Sequence, residues 1–559
     1  MKLFIMLFFF CPSFLFSQNI ELQNLAIEFF NWRSIIQPAT SDDILRVERP
    51  EDWKPDYSSE AISNYKKKYQ NFSQRLNSIS KNNWTRSDSV DFLLLRSAIE
   101  RVNWELNVLK IPNRNPDFYV HQTVGSVFEL LLIHSPITEE RAKNIIIRFN
   151  SFPKTIESAK KNLNEGVPEF ANIAIGSLKD IKPRLQKVSD ELIKIFPSSL
   201  KDELTESIEK GITSLIDFKE WLEKEKPKMT ASFVIGRENY IYFLKNIALI
   251  PYTPEELLRM GNTEWDRSVA FDIYEELKNK NIPEAKLFSS SDEQIKQSGK
   301  DEESIRKFLE EKNIMSVPDW VQHYTNKKLP EYLVPISNMG VTDDLTSEKR
   351  LNENAVSYIH EPSPDLSFFR LASAQDPRPI IVHEGIPGHY FQLANSWANE
   401  NPIRRRFIDS GPIEGIGFYV EEMLLQFGLY DDRPHTREII YKFMRLRALR
   451  VDVDVNLALG NFTIEEGGNY LASTVPMDEE TGKGEAAFFA YNPVQAISYQ
   501  IGKLQILKLI ADAKILLGEK FVLKDYHDYM MKNGNVPIAL QRWEYLGLKN
   551  EIDNLWPSD

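Results

Sequence analysis

From about residue 20 to residue 312 apolar positions recur at three- and four-residue spacing, and this run of helical periodicity limits the chain to a mainly α fold. Stretches such as "SEAISNYKKKYQNFSQRLNSI", "SDSVDFLLLRSAIERVNWELNVL" and "SIEKGITSLIDFKEWLEKE" each put an apolar stripe on one face of a helix. No repeat of fixed period links them, and the lysine and glutamate clusters between the stripes read as solvated faces. With 559 residues, the helices form one large domain or two closely joined ones.

The texture changes near residue 315. "LPEYLVPISNMGV" and "AVSYIHEPSPDLSFFRLAS" are rich in β-branched and aromatic residues and broken by Pro, Gly and Asn, which predicts short strands and loops. Helices resume at His383, with interruptions expected at "SGPIEG", "YDDRPH" and "STVPMDEETGKGE". The resulting division is a leader over 1–17, a helical half over 18–314 and a second half over 315–559 that holds the chemistry. The two halves equally suit one continuous domain.

The leader "MKLFIMLFFFCPSFLFS" joins Lys2 to an apolar run that ends near the small residue Ser17, the pattern of a secretory signal. It is too short and too interrupted by proline for a stable membrane anchor, so the expected location is periplasmic or secreted. Cys11 is the only cysteine and lies in this leader. A mature chain would then have no disulfide, thiol nucleophile or thiolate ligand, and a metal would have to be held by imidazole and carboxylate groups. The formal net charge of −13 argues against nucleic acid as a partner. Oligomeric state leaves no mark in the sequence.

The segment "IIVHEGIPGHYFQ" carries the chemistry. Hydrolysis at zinc needs three protein ligands, an open position and a carboxylate outside the ligand set. His383 and His389 offer imidazoles, and Glu384 is the candidate general base. In a regular helix residues six apart point about 240° away from each other and lie about 9 Å apart along the axis, so the helix must be reshaped. Pro387 removes one backbone donor and crowds the carbonyl of His383, and Gly388 accepts backbone angles other residues resist. A widened or broken turn at 386–388 is therefore expected to bring the two histidines together. Isolated His121 and His134 read as hydrogen-bonded structural residues.

The helix in "IEGIGFYVEEMLLQFGLY" begins near Glu414, with Gly415 and Gly417 permitting close approach of a neighbouring backbone. Of its two glutamates on one face, Glu414 and Glu421, one could bind metal, Glu414 being the favoured third ligand. Glu421, seven residues on, shares its face and is placed to support a ligand histidine from behind, whereas Glu422 reads as solvent-facing.

Together, "HEGIPGHYFQ", "EGIGFYVEEMLLQFGLYDD" and "PVQAISYQIGKL" resemble the bacterial domain of unknown function 885 family, grouped with the gluzincin-type zinc peptidases. The likeness in motifs runs from about residue 380 to 510. It implies a large helical gluzincin-like fold with a small β element before the metal helix, one Zn2+ on His383, His389 and Glu414, and Glu384 as base. Ile416 stands where the family usually has Trp, and Tyr390 and Ala458 stand where histidines are common, which bears on transition-state hydrogen bonding and specificity.

In "YNPVQAISYQIGKLQILKLIADAKILLG", Asn492 is read as a helix cap, Pro493 as first-turn and Gly518 as the far end. Tyr499, two turns inside that helix, is a candidate donor to a developing oxyanion, equally readable as a buried aromatic. Arg447 and Arg450 could grip a peptide carboxylate or pair with the surrounding acids. No Gly-x-Ser-x-Gly elbow or phosphate-binding loop is present. The expected activity is zinc-dependent hydrolysis of small or unfolded peptides. Hydrolysis of a non-peptide amide, or a catalytically silent binding role, are the competing expectations.

Overall fold

The computed structural model describes residues 19–39, 46–475 and 477–556, so the leader read over 1–17 lies outside the described residues. Among the described residues, 71% are helical and 2% lie in strands. Among the described residues no helix is long and apolar enough to cross a membrane.

Seven helices and three strands place the site. In chain order they are α1 (Glu139–Asn162), α2 (Lys201–Glu225), α3 (Pro254–Asn279), β1 (Tyr324–Lys328), β2 (Thr342–Asp343), β3 (Ala355–Ile359), α4 (His389–Trp397), α5 (Ser410–Phe427), α6 (Pro434–Leu459) and α7 (Ser498–Leu517). Local chemistry sets several ends. Thr253 and Glu256 form a capping box ahead of α3, with Pro254 at its first position. Gly460, at φ +80°, closes α6 in the left-handed conformation.

α1 and α2 pack together around Phe149, Phe152, Leu215 and Phe218 in one apolar core. That core also takes Leu333 and Val356 from beyond residue 315. A second core mixes Leu25, Phe72 and Leu95 with Ile403, Leu540 and Leu555. Burial of side chains from both ends of the chain holds the helical shell against the elements that carry the site.

The β element is a three-stranded sheet in the order β1-β3-β2, with β1 parallel and β2 antiparallel to β3. Strand content is smaller than the texture near residue 315 implies. Val334–Met339 is a 3-10 turn started by Pro335, and Phe368–Gln375 is a helix. In the latter, Phe368 and Phe369 pack against Phe443 of α6, at centroid distances of 5.5 and 5.2 Å, so tertiary packing overrides their strand preference.

"SGPIEG" does not interrupt the chain. It forms the first turns of α5, because Asp409 accepts from the Gly411 N–H and Pro412 sits where a missing donor costs little. The helix thus starts at Ser410, four residues before Glu414. Asn492 does not cap α7 either: it ends the preceding helix, Glu479–Tyr491, and α7 begins at Ser498. Tyr499 is therefore in the first turn and not two turns inside. The cause is Asp454 of α6, whose carboxylate accepts from the backbone N–H groups of Val494 and Ala496 and from the Tyr240 hydroxyl. Val494 adopts φ +74° in the turn wound around that carboxylate. Gly518 does cap the far end.

Candidate metal centre

The helix breaks at residues 386–388, where the sequence predicts a widened or broken turn, and a widened turn also precedes the break. Residues Ile381–Gly385 form a single π-helical turn, closed by the Ile386 N–H donating to the Ile381 carbonyl at 3.0 Å. Ile386 is extended, as favoured before proline, and the Ile386–Pro387 bond is cis. α4 then starts afresh at His389. Only glycine fits at 388, since a Cβ there would lie 1.8 Å from the His383 carbonyl oxygen. The helix is broken and restarted, and the imidazole rings come to 4.5 Å between centroids.

α5 lies beneath both rings. A Cβ on Gly417 would fall 2.7 Å from Cε1 of His389 and 2.9 Å from Cε1 of His383, so this glycine is the floor on which the imidazoles rest. Gly415 serves a different neighbour: its Cβ would meet the α7 backbone at Gly502, 2.7 Å away, which lets α5 and α7 cross closely.

Glu414 projects from α5 toward both rings. Its Oε2 lies 3.3 Å from Nε2 of His383 and 3.3 Å from Nε2 of His389, and it is buried without hydrogen-bond geometry to any partner. Donors bound tetrahedrally to one ion at about 2.0 to 2.1 Å lie about 3.3 to 3.4 Å from each other, so both separations suit such an ion. A buried carboxylate oxygen facing two imidazole nitrogens is costly unless a proton on an imidazole or a metal cation lies between them. Burial alone would depress His383, but Glu414 and Glu421 draw its imidazole up to about 9. Burial likewise pushes Glu414 up, yet the charge of His389 and the contact with His383 hold it well below the usual carboxylate range. These three residues could hold a divalent metal. His383, Glu384 and His389 also bring ligand atoms within 4.8 Å of one another, which keeps the partly buried Glu384 beside the same point.

Behind His383 stands a chain of charges. Glu421, fully buried, places Oε1 2.6 Å from Nδ1 of His383, and Arg447 of α6 places Nη2 3.0 Å from the same oxygen. The Tyr499 ring lies nearly parallel to His383, 6.2 Å between centroids at 12°. Arg450 sits 4.5 Å over the Tyr499 ring and pairs with Glu485 at 2.7 Å. Both arginines are thus partners of acids, and both line a cavity of about 340 Å³ that opens beside His383 and Glu384. β3 forms part of its wall through Ser357, Tyr358 and Ile359.

Glu422 is not a solvent-facing residue. It is buried and bridges Arg267 of α3 at 2.6 Å and Lys503 of α7 at 2.9 Å, while Lys503, fully buried, also reaches Glu264 at 2.8 Å. This network ties α3, α5 and α7 together beneath the site. Tyr390 and Ile416 belong to the apolar core around α4 and α5, and Ala458 to the core around Tyr240. His121 and His134 each lie against an acid, Asp117 at 3.3 Å and Asp343 at 3.0 Å. Sequence reasoning missed Glu485, Asp454 and the network partner Lys503. Each meets its partner only across helices, and a lone lysine in an apolar stripe was the one available sign.

The model of the family described as bacterial protein of unknown function (DUF885) matches residues 43–543. The chain belongs to this family. The fold is similar to those of solved structures, of which two follow. One is a candidate lipoprotein of unknown function from Shewanella oneidensis, 16% identical, with TM-score 0.71 over 94% of this chain and 99% of that one. The other is a candidate lipoprotein from Colwellia psychrerythraea, 16% identical, with TM-score 0.74 over 95% of this chain and 99% of that one. At that identity the likeness concerns the fold alone. No curated protein matches the chain.

Proposed function

We propose that this DUF885 protein is a zinc-dependent, gluzincin-like peptidase that hydrolyses small or unfolded peptides, and that its apolar leader exports it to the periplasm or beyond. The observation that carries this reading is the buried Oε2 of Glu414, 3.3 Å from both imidazole Nε2 atoms, with the Glu384 carboxylate beside them. A zinc ion on His383, His389 and Glu414 would supply an acidified water and polarise the scissile carbonyl.

The protein's own groups have separate tasks. Glu384, outside the ligand set, takes a proton from the attacking water and returns it to the leaving amine. Glu421 fixes the orientation of His383 through Nδ1, and Arg447 in turn holds Glu421. Tyr499, backed by Arg450 and lining the same cavity, would serve as the donor to the oxygen that gains charge in the transition state.

The test combines metal analysis with peptide hydrolysis by the purified protein and by Glu384→Gln. One zinc per chain and a rate at least about 100-fold lower in the variant are expected. Absence of zinc sinks the reading. Zinc without Glu384-dependent turnover of any peptide would instead support a silent binding role, and turnover confined to acyl-amino acids a non-peptide amide hydrolase.

A further inference from the structure

The cavity beside the centre is charged against the trend of the chain. Its lining holds Arg370, Arg447 and Arg450 but a single carboxylate, Glu384, in a protein whose net charge is −13. Two of these cations are already matched, Arg447 by Glu421 at 3.0 Å and Arg450 by Glu485 at 2.7 Å. Arg370 is different. It lies in the first turn of the helix Phe368–Gln375, half-buried, and among the described residues no carboxylate offsets it: burial alone draws its guanidinium below the ordinary value.

His360, just after β3, lines the same cavity. Burial and then the nearby charge of Arg370 lower its imidazole, so it stays neutral, and its Nε2 is buried without a hydrogen-bond partner. A partly desolvated guanidinium without a counter-ion, beside an unsatisfied imidazole nitrogen, is a costly arrangement in a folded chain. A ligand carboxylate would offset it, since the planar guanidinium matches a carboxylate with two parallel hydrogen bonds.

We propose that this wall is an anion-binding subsite, in which Arg370, with His360 beside it, receives a carboxylate of the substrate. The inference rests on the hydrolase reading above and narrows it to peptides that carry an acid group, either a free C-terminal carboxylate or an acidic side chain.

Four N-acetylated peptides separate the sources: pentaalanine as free acid and as C-terminal amide, and Ala-Ala-Glu-Ala-Ala and Ala-Ala-Gln-Ala-Ala, both as amides. Steady-state hydrolysis is measured with the full chain and with Arg370→Gln and Arg370→Lys, whose folding is checked by thermal melts. In the unaltered protein one acid peptide should exceed its neutral counterpart in kcat/KM by about 10- to 100-fold, mainly through KM. A response in the first pair identifies a terminal carboxylate, and in the second a side chain. Arg370→Gln should collapse that ratio toward one, with part of it kept by Arg370→Lys. Equal values within both pairs in the unaltered protein overturn the subsite, and a ratio untouched by Arg370→Gln removes Arg370 from it.

Calorimetric binding of the same peptides to Glu384→Gln separates this inference from the peptidase reading. Acid-selective binding without hydrolysis by the unaltered protein keeps the subsite and sinks the peptidase. Glu384-dependent hydrolysis with no preference for acid does the reverse.

Discussion

Glu421 Oε1 lies 2.6 Å from Nδ1 of His383, on the side of the ring away from Nε2, which faces Glu414 at 3.3 Å. One buried acid thus sits behind the imidazole while another faces its opposite edge. Carboxylates placed behind ligand histidines typically account for 10- to 100-fold in metal affinity. Glu421→Gln is expected to weaken zinc binding by about that factor, read by competition with a chromogenic chelator. Unchanged affinity would mean that Glu421 serves only to neutralise Arg447.

The floor under the imidazoles is equally specific. In Gly417→Ala the new methyl would fall 2.7 Å from one ring and 2.9 Å from the other, so the rings must shift relative to Glu414. Zinc stoichiometry at a fixed, low free-metal concentration should drop about tenfold or more, with the far-ultraviolet circular dichroism kept. Full metal loading of the variant would contradict the arrangement of α5 beneath both rings.

Lys503→Met addresses the buried network. Lys503 is fully buried between Glu264 and Glu422, at 2.8 and 2.9 Å, and its removal leaves only Arg267 to offset two carboxylates. Breaking a buried pair in this way costs about 3 to 5 kcal/mol. The urea midpoint of the variant should fall accordingly, and a midpoint within error of the parent would show that Arg267 alone suffices.

Asp454 predicts a pH dependence. Burial lifts its carboxyl from 3.8 to about 7, against the backbone N–H of Val494, the Tyr240 hydroxyl and the N–H of Ala496, which favour the ionised form. A carboxyl whose folded pKa is raised binds its proton more tightly in the folded state. Its contribution to stability is therefore full below about pH 4 and is lost as pH rises through about 7. Denaturation midpoints measured across this range should fall with a steeper slope in the parent than in Asp454→Asn, whatever the absolute stability of the variant. Parallel slopes would exclude Asp454 as the titrating group.

Much of the site was legible because its signals are local. The His383-Glu384 pair, a second histidine behind Pro387 and Gly388, and two glutamates seven residues apart on one helix are patterns within short segments. The helix break was legible too, though not its form. The ring contacts of Gly417 escaped notice because a glycine in a helix says that something comes close, and here that something is a pair of side chains rather than a backbone.

Periodicity and composition report on each segment in isolation, which is enough for the helical class and for the histidines and glutamates offered as ligands. Packing alone establishes that Glu422 is buried, that α7 begins at Ser498, and that among the described residues Arg447 and Arg450 are matched by acids while Arg370 is not. The reason is the range of the interactions. Glu422 meets Arg267 155 residues away and Lys503 81 residues away, and Asp454 holds a turn 40 residues further on. Whether a charge is solvated or buried depends on which distant charge reaches it, and that is fixed only when the helices pack.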